Sequence, residues 1–171
     1  MRHIALWRGI NVGKAKRLAM ADLKALLTEL GATNVATLLN SGNAVFDAKK
    51  PLSADKIRTA VTAQLGVDAA VILKTADEWA AIAAELPIPE ADDPSRLLAA
   101  IPANAAALQA VASIVAGSGD RYVVTPHAAY LWCGNGILES KTAVTLLKQL
   151  GDAGTTRNWA TVQKLAALAA R

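Results

Sequence analysis

One order of elements constrains this chain more than any other feature. A short apolar run stops at a glycine and a helical stripe follows. Two further runs are joined by a tight polar turn, and a second stripe and a last run complete the series. His3–Arg8 holds Ile4, Leu6 and Trp7 in a run too short for a helix and bounded by Gly9, which predicts a strand. Met20, Leu23, Leu27 and Leu30 recur at helical spacing, with Gly31 as a C-terminal stop. Asn34–Leu39 is expected as a second strand, Asn40-Ser41-Gly42 as a turn and Ala44-Val45-Phe46 as a third strand. Pro51 and Ser53 open a helix with Ile57, Val61 and Leu65 on one face and Gly66 at its end. Val71-Ile72-Leu73 is expected as a fourth strand.

This order is β-α-β-β-α-β, the split βαβ or ferredoxin-like arrangement. A change of composition follows. Residues 75–95 hold Asp77, Glu78, Glu85, Glu90, Asp92 and Asp93 and neither Lys nor Arg. Thr75 with Glu78 makes a capping box, Trp79, Ile82 and Leu86 give one apolar face, and Pro87, Pro89 and Pro94 end the helix. The rhythm then repeats. Leu97–Ile101 reads as a strand, and Leu108, Val111 and Val115 as a helix running to Gly117. Tyr122–Thr125 and Ala129–Trp132 form a hairpin around Pro126-His127, and Ser140 caps a helix with Val144 and Leu147 that stops at Gly151. Where a fourth strand is due, Gly154-Thr155-Thr156-Arg157-Asn158-Trp159 reads as a polar block leading into a helix with Val162, Leu165 and Leu168 inward. No residue-level repeat relates the halves. The expectation is an α+β protein of two linked ferredoxin-like subdomains. Residues 1–74 form the first, 75–95 a helix and acidic connector, and 96–171 an α+β subdomain ending in an extra helix.

A chain of 171 residues is long enough to bury a core. Hydrophobic residues are 53% of it but aromatics only 4%, so the core rests on Leu, Val and Ile at well-spaced positions. A charged fraction of 19% excludes a disordered polyelectrolyte. No apolar run is long enough to span a membrane, and the five uncharged residues before Arg8 are too few for a signal peptide. Cys133 is alone, which leaves no disulfide framework and no cysteine metal pattern; a reduced, cytoplasmic protein is the simplest reading. The net charge of +4 is local. Residues 1–24 set Arg2, Arg8, Lys14, Lys16, Arg17 and Lys24 against Asp22 alone, which points to a local anionic partner.

Those cations surround the stretch Arg8-Gly9-Ile10-Asn11-Val12-Gly13-Lys14-Ala15-Lys16-Arg17. In a ferredoxin-like sheet the first and third strands are central antiparallel neighbours, so this loop and the Asn40-Ser41-Gly42 turn should share one rim beside a helix start. Arg8, Gly9, Asn11, Gly13, Lys16, Arg17, Ser41, Gly42 and Asn43 are therefore the candidate ligand-binding residues, for an anion met by cations, backbone N–H groups and a helix dipole. Thr155, Thr156, Arg157 and Asn158 share this chemistry and are expected beside the same rim, between the subdomains. The competing reading is structural: glycines make the turns, asparagines satisfy loop backbone, and the blocks cement the fold.

The blocks Arg8-Gly9-Ile10-Asn11-Val12-Gly13, Ser41-Gly42-Asn43 with Phe46, and Gly154-Thr155-Thr156-Arg157-Asn158-Trp159 resemble those of the bacterial Domain of Unknown Function 1697 family. The resemblance runs over nearly the whole chain. It implies two linked ferredoxin-like subdomains and a site at the blocks, and it implies no activity. Leu39 stands where a tyrosine is usual in that family, and Ala160 where asparagine often follows the tryptophan.

Other motifs add no cofactor. Gly9 to Lys14 is one residue short of a P-loop, and Ala15 stands where Ser or Thr should hold Mg²⁺. Gly117-Ser118-Gly119 and Gly134-Asn135-Gly136 lack a third glycine. His3 and His127 have no metal spacing, and Cys133 is expected to be buried. The blocks contain no His, Cys, Asp or Glu to serve as base or nucleophile, so whether the protein is an enzyme is left open. The leading expectation is a site for a small anionic or phosphorylated ligand. A nucleic-acid-binding module using residues 2–24 ranks below it, because aromatic platforms are few, and a protein-interaction domain is a third reading.

Overall fold

Strand β1 (Arg2–Trp7) lies between β3 (Asn43–Ala48) and β4 (Val71–Thr75), antiparallel to both, in the computed structural model, which describes residues 1–171. With β2 (Ala32–Thr37) at the edge, the sheet order is β2-β3-β1-β4. Ile4, Ala5, Leu6 and Trp7 are all fully buried, which explains why β1 reads as a continuous apolar run and not as an alternation. Helices α1 (Met20–Glu29) and α2 (Ala54–Leu65) bury Leu23, Leu26, Leu27, Ile57 and Val61 in one cluster with Ala5, Trp7, Ala44 and Phe46. Each such aliphatic side chain contributes about 1.5–3 kcal/mol of burial. The end signals act as expected. Ser53 Oγ accepts the Lys56 N–H at 3.1 Å, and Gly66 closes α2 at φ 71° with its N–H on Thr62 C=O.

The second half builds the same sheet. Strands β5 (Leu97–Pro102), β6 (Asp120–Val124), β7 (Ala129–Cys133) and β8 (Gly154–Asn158) are ordered β6-β7-β5-β8. Helices α4 (Ala105–Ala110) and α5 (Lys141–Leu150) cover one face through Leu108, Val111, Ala143, Leu146 and Leu150. Both halves are therefore ferredoxin-like and the α+β class stands. By contacts the chain divides into Met1–Trp79 with Ala167–Arg171, and Ala80–Ala166, so the division falls inside α3 (Ala76–Ala83) and α6 (Trp159–Ala169). The capping box that opens α3 is formed: Thr75 N–H donates to Glu78 Oε2 at 2.8 Å, and Glu78 N–H to Thr75 Oγ1 at 3.1 Å.

Several expectations need correction. The polar block Gly154–Asn158 is the fourth strand, not a loop, paired with β5 from Pro102↔Gly154 to Leu98↔Asn158. It is an edge strand, so polar side chains do not forbid it, and threonines favour extended backbone. Its last residue also caps α6, Asn158 Oδ1 accepting the Thr161 N–H at 2.9 Å. Helix α4 ends at Ala110 and leaves Val115 exposed. The buried stripe of α5 is Thr142, Ala143, Leu146 and Leu150, so Val144 faces water; Leu86 lies past the end of α3 and is exposed. Strand β2 runs Ala32–Thr37, two residues earlier at both ends than expected, because Ala32 and Thr33 already pair with Ala48 and Asp47; the register then shifts between Thr33 and Ala36, where Asn34 sits at φ 51°.

Buried polar groups in the second unit are tied together. Tyr130, fully buried, donates its hydroxyl to Glu85 Oε1 at 2.8 Å, and Thr125 Oγ1 reaches the same oxygen at 2.9 Å. The Tyr130 ring meets Trp159 edge to face at 5.8 Å, which makes Trp159 a core anchor. Cys133 is buried, and burial pushes its thiol up, away from nucleophilic use.

His3 of β1 packs against Phe46, with ring centroids 5.6 Å apart, and its Nδ1 is buried without a partner. Burial, helped by the N-terminal ammonium and opposed by Glu78 and Asp47, holds its pKa below 6.5. The native state therefore keeps His3 neutral while the unfolded chain protonates at the ordinary value. The resulting stability is complete above about pH 6.5 and is lost as pH falls through that value toward the native pKa. Urea midpoints should drop from pH 7.5 to 5.5, and His3→Phe should flatten that drop; an unchanged slope in the variant would count against this account.

Candidate functional site

The end of β1 is clamped on both sides. Trp7 N–H donates to Gly42 C=O at 3.0 Å and Arg8 N–H to Ala70 C=O at 2.9 Å, so the chain leaves the sheet in a set direction at Arg8, which is half-buried. The loop that follows uses left-handed backbone at Gly9 (φ 69°), Asn11 (φ 56°), Gly13 (φ 65°) and Lys16 (φ 51°). Asparagine tolerates that region because its short amide bonds locally. Asn11 does so three times: its Nδ2 donates to Leu18 C=O and to Asn40 C=O, each at 2.8 Å, and its Oδ1 accepts the Leu18 N–H at 2.8 Å. Its backbone N–H closes the loop on Lys16 C=O at 3.0 Å. Ile10 is buried beneath this closure.

The facing turn is tied from within. Asn43, fully buried, donates Nδ2 to Leu38 C=O at 2.8 Å and to Ser41 Oγ at 3.0 Å. Leu39 occupies φ 59° and is half-exposed. Gly42 lies at φ 92°, where a Cβ would sit 2.6 Å from Ile10 Cδ1 and 3.0 Å from Trp7 Cβ. The structure thus brings together Arg8, Gly9, Asn11, Gly13, Lys16, Arg17, Ser41, Gly42 and Asn43 on one rim of the first unit. It gives them different tasks. Asn11 and Asn43 bond to loop and turn groups, the glycines and Ile10 shape the backbone, and Lys16, Arg17 and Ser41 are exposed.

Arg17 lies back over the loop. Its Nη1 donates to Asn11 C=O at 3.3 Å and Gly13 C=O at 3.2 Å. Asn11, Arg17, Leu18, Ala19 and Asn40 line a pocket of about 340 Å³ at the start of α1. Ala19 is the N-cap of that helix and supplies no side-chain bond, leaving the helix start to backbone donors. Leu18, Ala19 and Asn40 were not among the expected site residues. The sequence signal for Leu18 and Ala19 is that no Ser, Thr, Asp or Asn stands directly before Met20, which marks an uncapped helix. The first carboxylate in the chain is Asp22, in the first turn of α1. Asp68 is exposed and held low chiefly by its bond to Arg58, with a smaller pull from Lys16, which places Lys16 in its field. The pocket lining has no His, Cys, Asp or Glu, so it offers no general base.

The C-terminal candidates belong to the second unit. Thr155, Thr156, Arg157 and Asn158 lie in β8. Arg157 is buried and donates Nη1 to Thr155 Oγ1 at 3.2 Å and Thr156 C=O at 2.8 Å, and burial pushes its pKa down to about 10. Asn158 caps α6.

The fold and the rim define an α+β protein of two ferredoxin-like units, the first with a basic glycine-asparagine loop. Residues 1–149 match the family described as Protein of unknown function (DUF1697), and the chain belongs to that family. The match stops before Gly154, so β8 and α6 lie beyond it. A conserved bacterial protein from Streptococcus pneumoniae has a similar structure, with a TM-score of 0.74 over 98% of this chain and 97% of that one. At 20% identity that likeness shows the fold alone. No curated protein matches the sequence.

Two substitutions test how the rim is held. Gly42→Val puts a branched side chain at a left-handed position and against Ile10, and should cost about 1–3 kcal/mol in urea unfolding. Asn11→Ala removes the bridge between loop and turn and should cost a comparable amount, about 1–3 kcal/mol. Amide hydrogen exchange should show Leu18 N–H, whose acceptor is lost, unprotected in the Asn11 variant. Retained protection there would mean that the loop is held by something else.

Proposed function

We propose that the first unit binds a small anion, a phosphate or carboxylate group, in the pocket between the Arg8–Leu18 loop and the start of α1. The observation that carries this reading is the pocket itself. It opens at a helix N-terminus whose N-cap residue, Ala19, gives no side-chain bond, and Arg17 is in its wall. An uncapped helix start presents backbone N–H donors and the positive end of the dipole. A guanidinium has five N–H donors, and the two loop carbonyls engage only Nη1 of Arg17. Those two bonds hold the side chain in place over the pocket, which lowers the ordering cost of using its other donors. Lys14 and Lys16 add exposed positive charge without forming an ion pair.

The reading is one of binding, since the lining supplies charge and donors and nothing that moves a proton. It treats Asn11 and Asn43 as builders of the site and not as ligand contacts, because their amides are spent on backbone and on Ser41. Finer assignment of the ligand follows from which anion stabilises the fold most in a thermal-shift series of phosphate, sulfate, carboxylates and phosphorylated metabolites.

The test is a phosphate titration followed by thermal unfolding. Saturable binding at 100 times Kd stabilises by about 2.7 kcal/mol. Arg17→Gln should abolish the phosphate-dependent rise in Tm while shifting the unliganded Tm by no more than a degree or two, because the side chain is exposed. A wild-type Tm indifferent to phosphate, or an Arg17 variant that keeps the full rise, would defeat the proposal.

A further inference from the structure

We propose that the helix-bearing side of the first unit docks the phosphate backbone of double-helical nucleic acid, through two cationic clusters at opposite ends of α1. One cluster is the loop just described, so the inference rests in part on that reading. The other is separate. Lys49 and Lys50 after β3 and Lys56 in the first turn of α2 converge with Glu29, Leu30 and Gly31 at the far end of α1 around a second pocket of about 430 Å³.

Charge is the first argument. The chain carries +4, and all of its positive excess lies in the first unit. Lys14, Lys16 and Arg17 in one cluster, and Lys49, Lys50 and Lys56 in the other, are all exposed. The ion pairs of this unit, Arg2–Asp47 and Arg58–Asp68, use other cations. The carboxylates on this side are Asp22, Glu29 and Asp55, with Asp68 taken up by Arg58; Glu29 lines the second pocket itself. The six cations outnumber them, and Lys24 of α1 adds a further exposed charge between the clusters.

Geometry is the second. Helix α1 has 10 residues, and at 1.5 Å per residue its two ends, beside which the clusters lie, are about 15 Å apart. One small anion cannot span that distance. The two strands flanking a duplex groove about 12 Å wide present phosphates at a comparable separation. Residue type then selects the form of nucleic acid. Neither α1 nor α2 carries an aromatic residue, and Trp7 and Phe46 are buried beneath them, so this side offers no platform on which unpaired bases could stack. Lysines act as point charges toward phosphate, and contacts to the phosphate backbone carry no sequence information, which predicts binding without sequence preference. A protein partner would call for apolar anchors at the centre of the patch, where α1 instead exposes Lys24 and Thr28.

The experiment is fluorescence anisotropy with a labelled 20-base-pair duplex over a salt series, run beside the phosphate thermal shift. Six phosphate contacts predict a log–log salt slope of about −5 for the wild type. The triple variant Lys49→Gln, Lys50→Gln, Lys56→Gln should lose at least tenfold in duplex affinity and flatten the slope by about three, with its phosphate shift intact. Arg17→Gln should lose the phosphate shift and flatten the slope by about one. A phosphate shift with no duplex binding at low salt would overturn this inference and spare the loop site. Duplex binding that the triple variant weakens, with no phosphate shift in the wild type, would overturn the small-anion reading and support the surface. Unchanged duplex affinity in the triple variant, equal affinity for a single strand of the same length, or equal competition by polyglutamate would each overturn the proposal.

Discussion

The antiparallel pairing of β1 with β3 is the constraint on which the first unit depends. It sets Ala5 against Ala44 and Leu6 against Asn43, and its last bond joins Trp7 N–H to Gly42 C=O. The register is strongly specified, because Trp7 and Phe46 belong to the core beneath α1 and α2, and a slip of one residue would turn each to the opposite face. Once that register is set, the loop after Trp7 and the turn before Asn43 have no freedom to separate. The rim is a consequence of core packing before it is anything else.

That origin explains how the polar residues divide. Where two irregular segments meet at a sheet end, backbone groups leave the ladder and need partners. Asn11 and Asn43 supply them, one for the loop and one for the turn, and Gly42 lets Ile10 sit under the junction. The anion site proposed above rests instead on Lys14, Lys16, the donors of Arg17 that the loop carbonyls do not engage, and the start of α1. Cement and the proposed ligand site therefore fall on different residues of one rim, and the first does not exclude the second. In the second unit Arg157 and Asn158 are engaged within β8 and at the start of α6, so the same residue types serve strand and cap.

Much of the fold was legible in the chain. The element order, the capping box at Thr75 and Glu78, the Ser53 and Ser140 caps and the Gly66 stop are local events, decided by residues three or four apart. What was misread shares a cause. Strand β8 has little apolar content of its own and becomes a strand by pairing with β5. The phase of α5 was off because two of its four buried residues are Thr142 and Ala143, which a search for large apolar side chains passes over. The bulge at Asn34 is a matter of register against β3 and has no signature in β2 alone.

The candidate site divides along the same line. The sequence by itself determined that the positive charge is concentrated before Asp22 and that a glycine-asparagine loop joins the first strand to the first helix. Each is a property of neighbours along the chain. Only the tertiary structure decided which polar groups are already spent and which remain for a partner. Asn11 finds Asn40 across 29 residues, Gly42 finds Ile10, and Lys56 meets Leu30 at the far end of α1. A hydrogen bond or a steric contact needs both partners in place, and residues that distant are brought together by the core and not by the local chain.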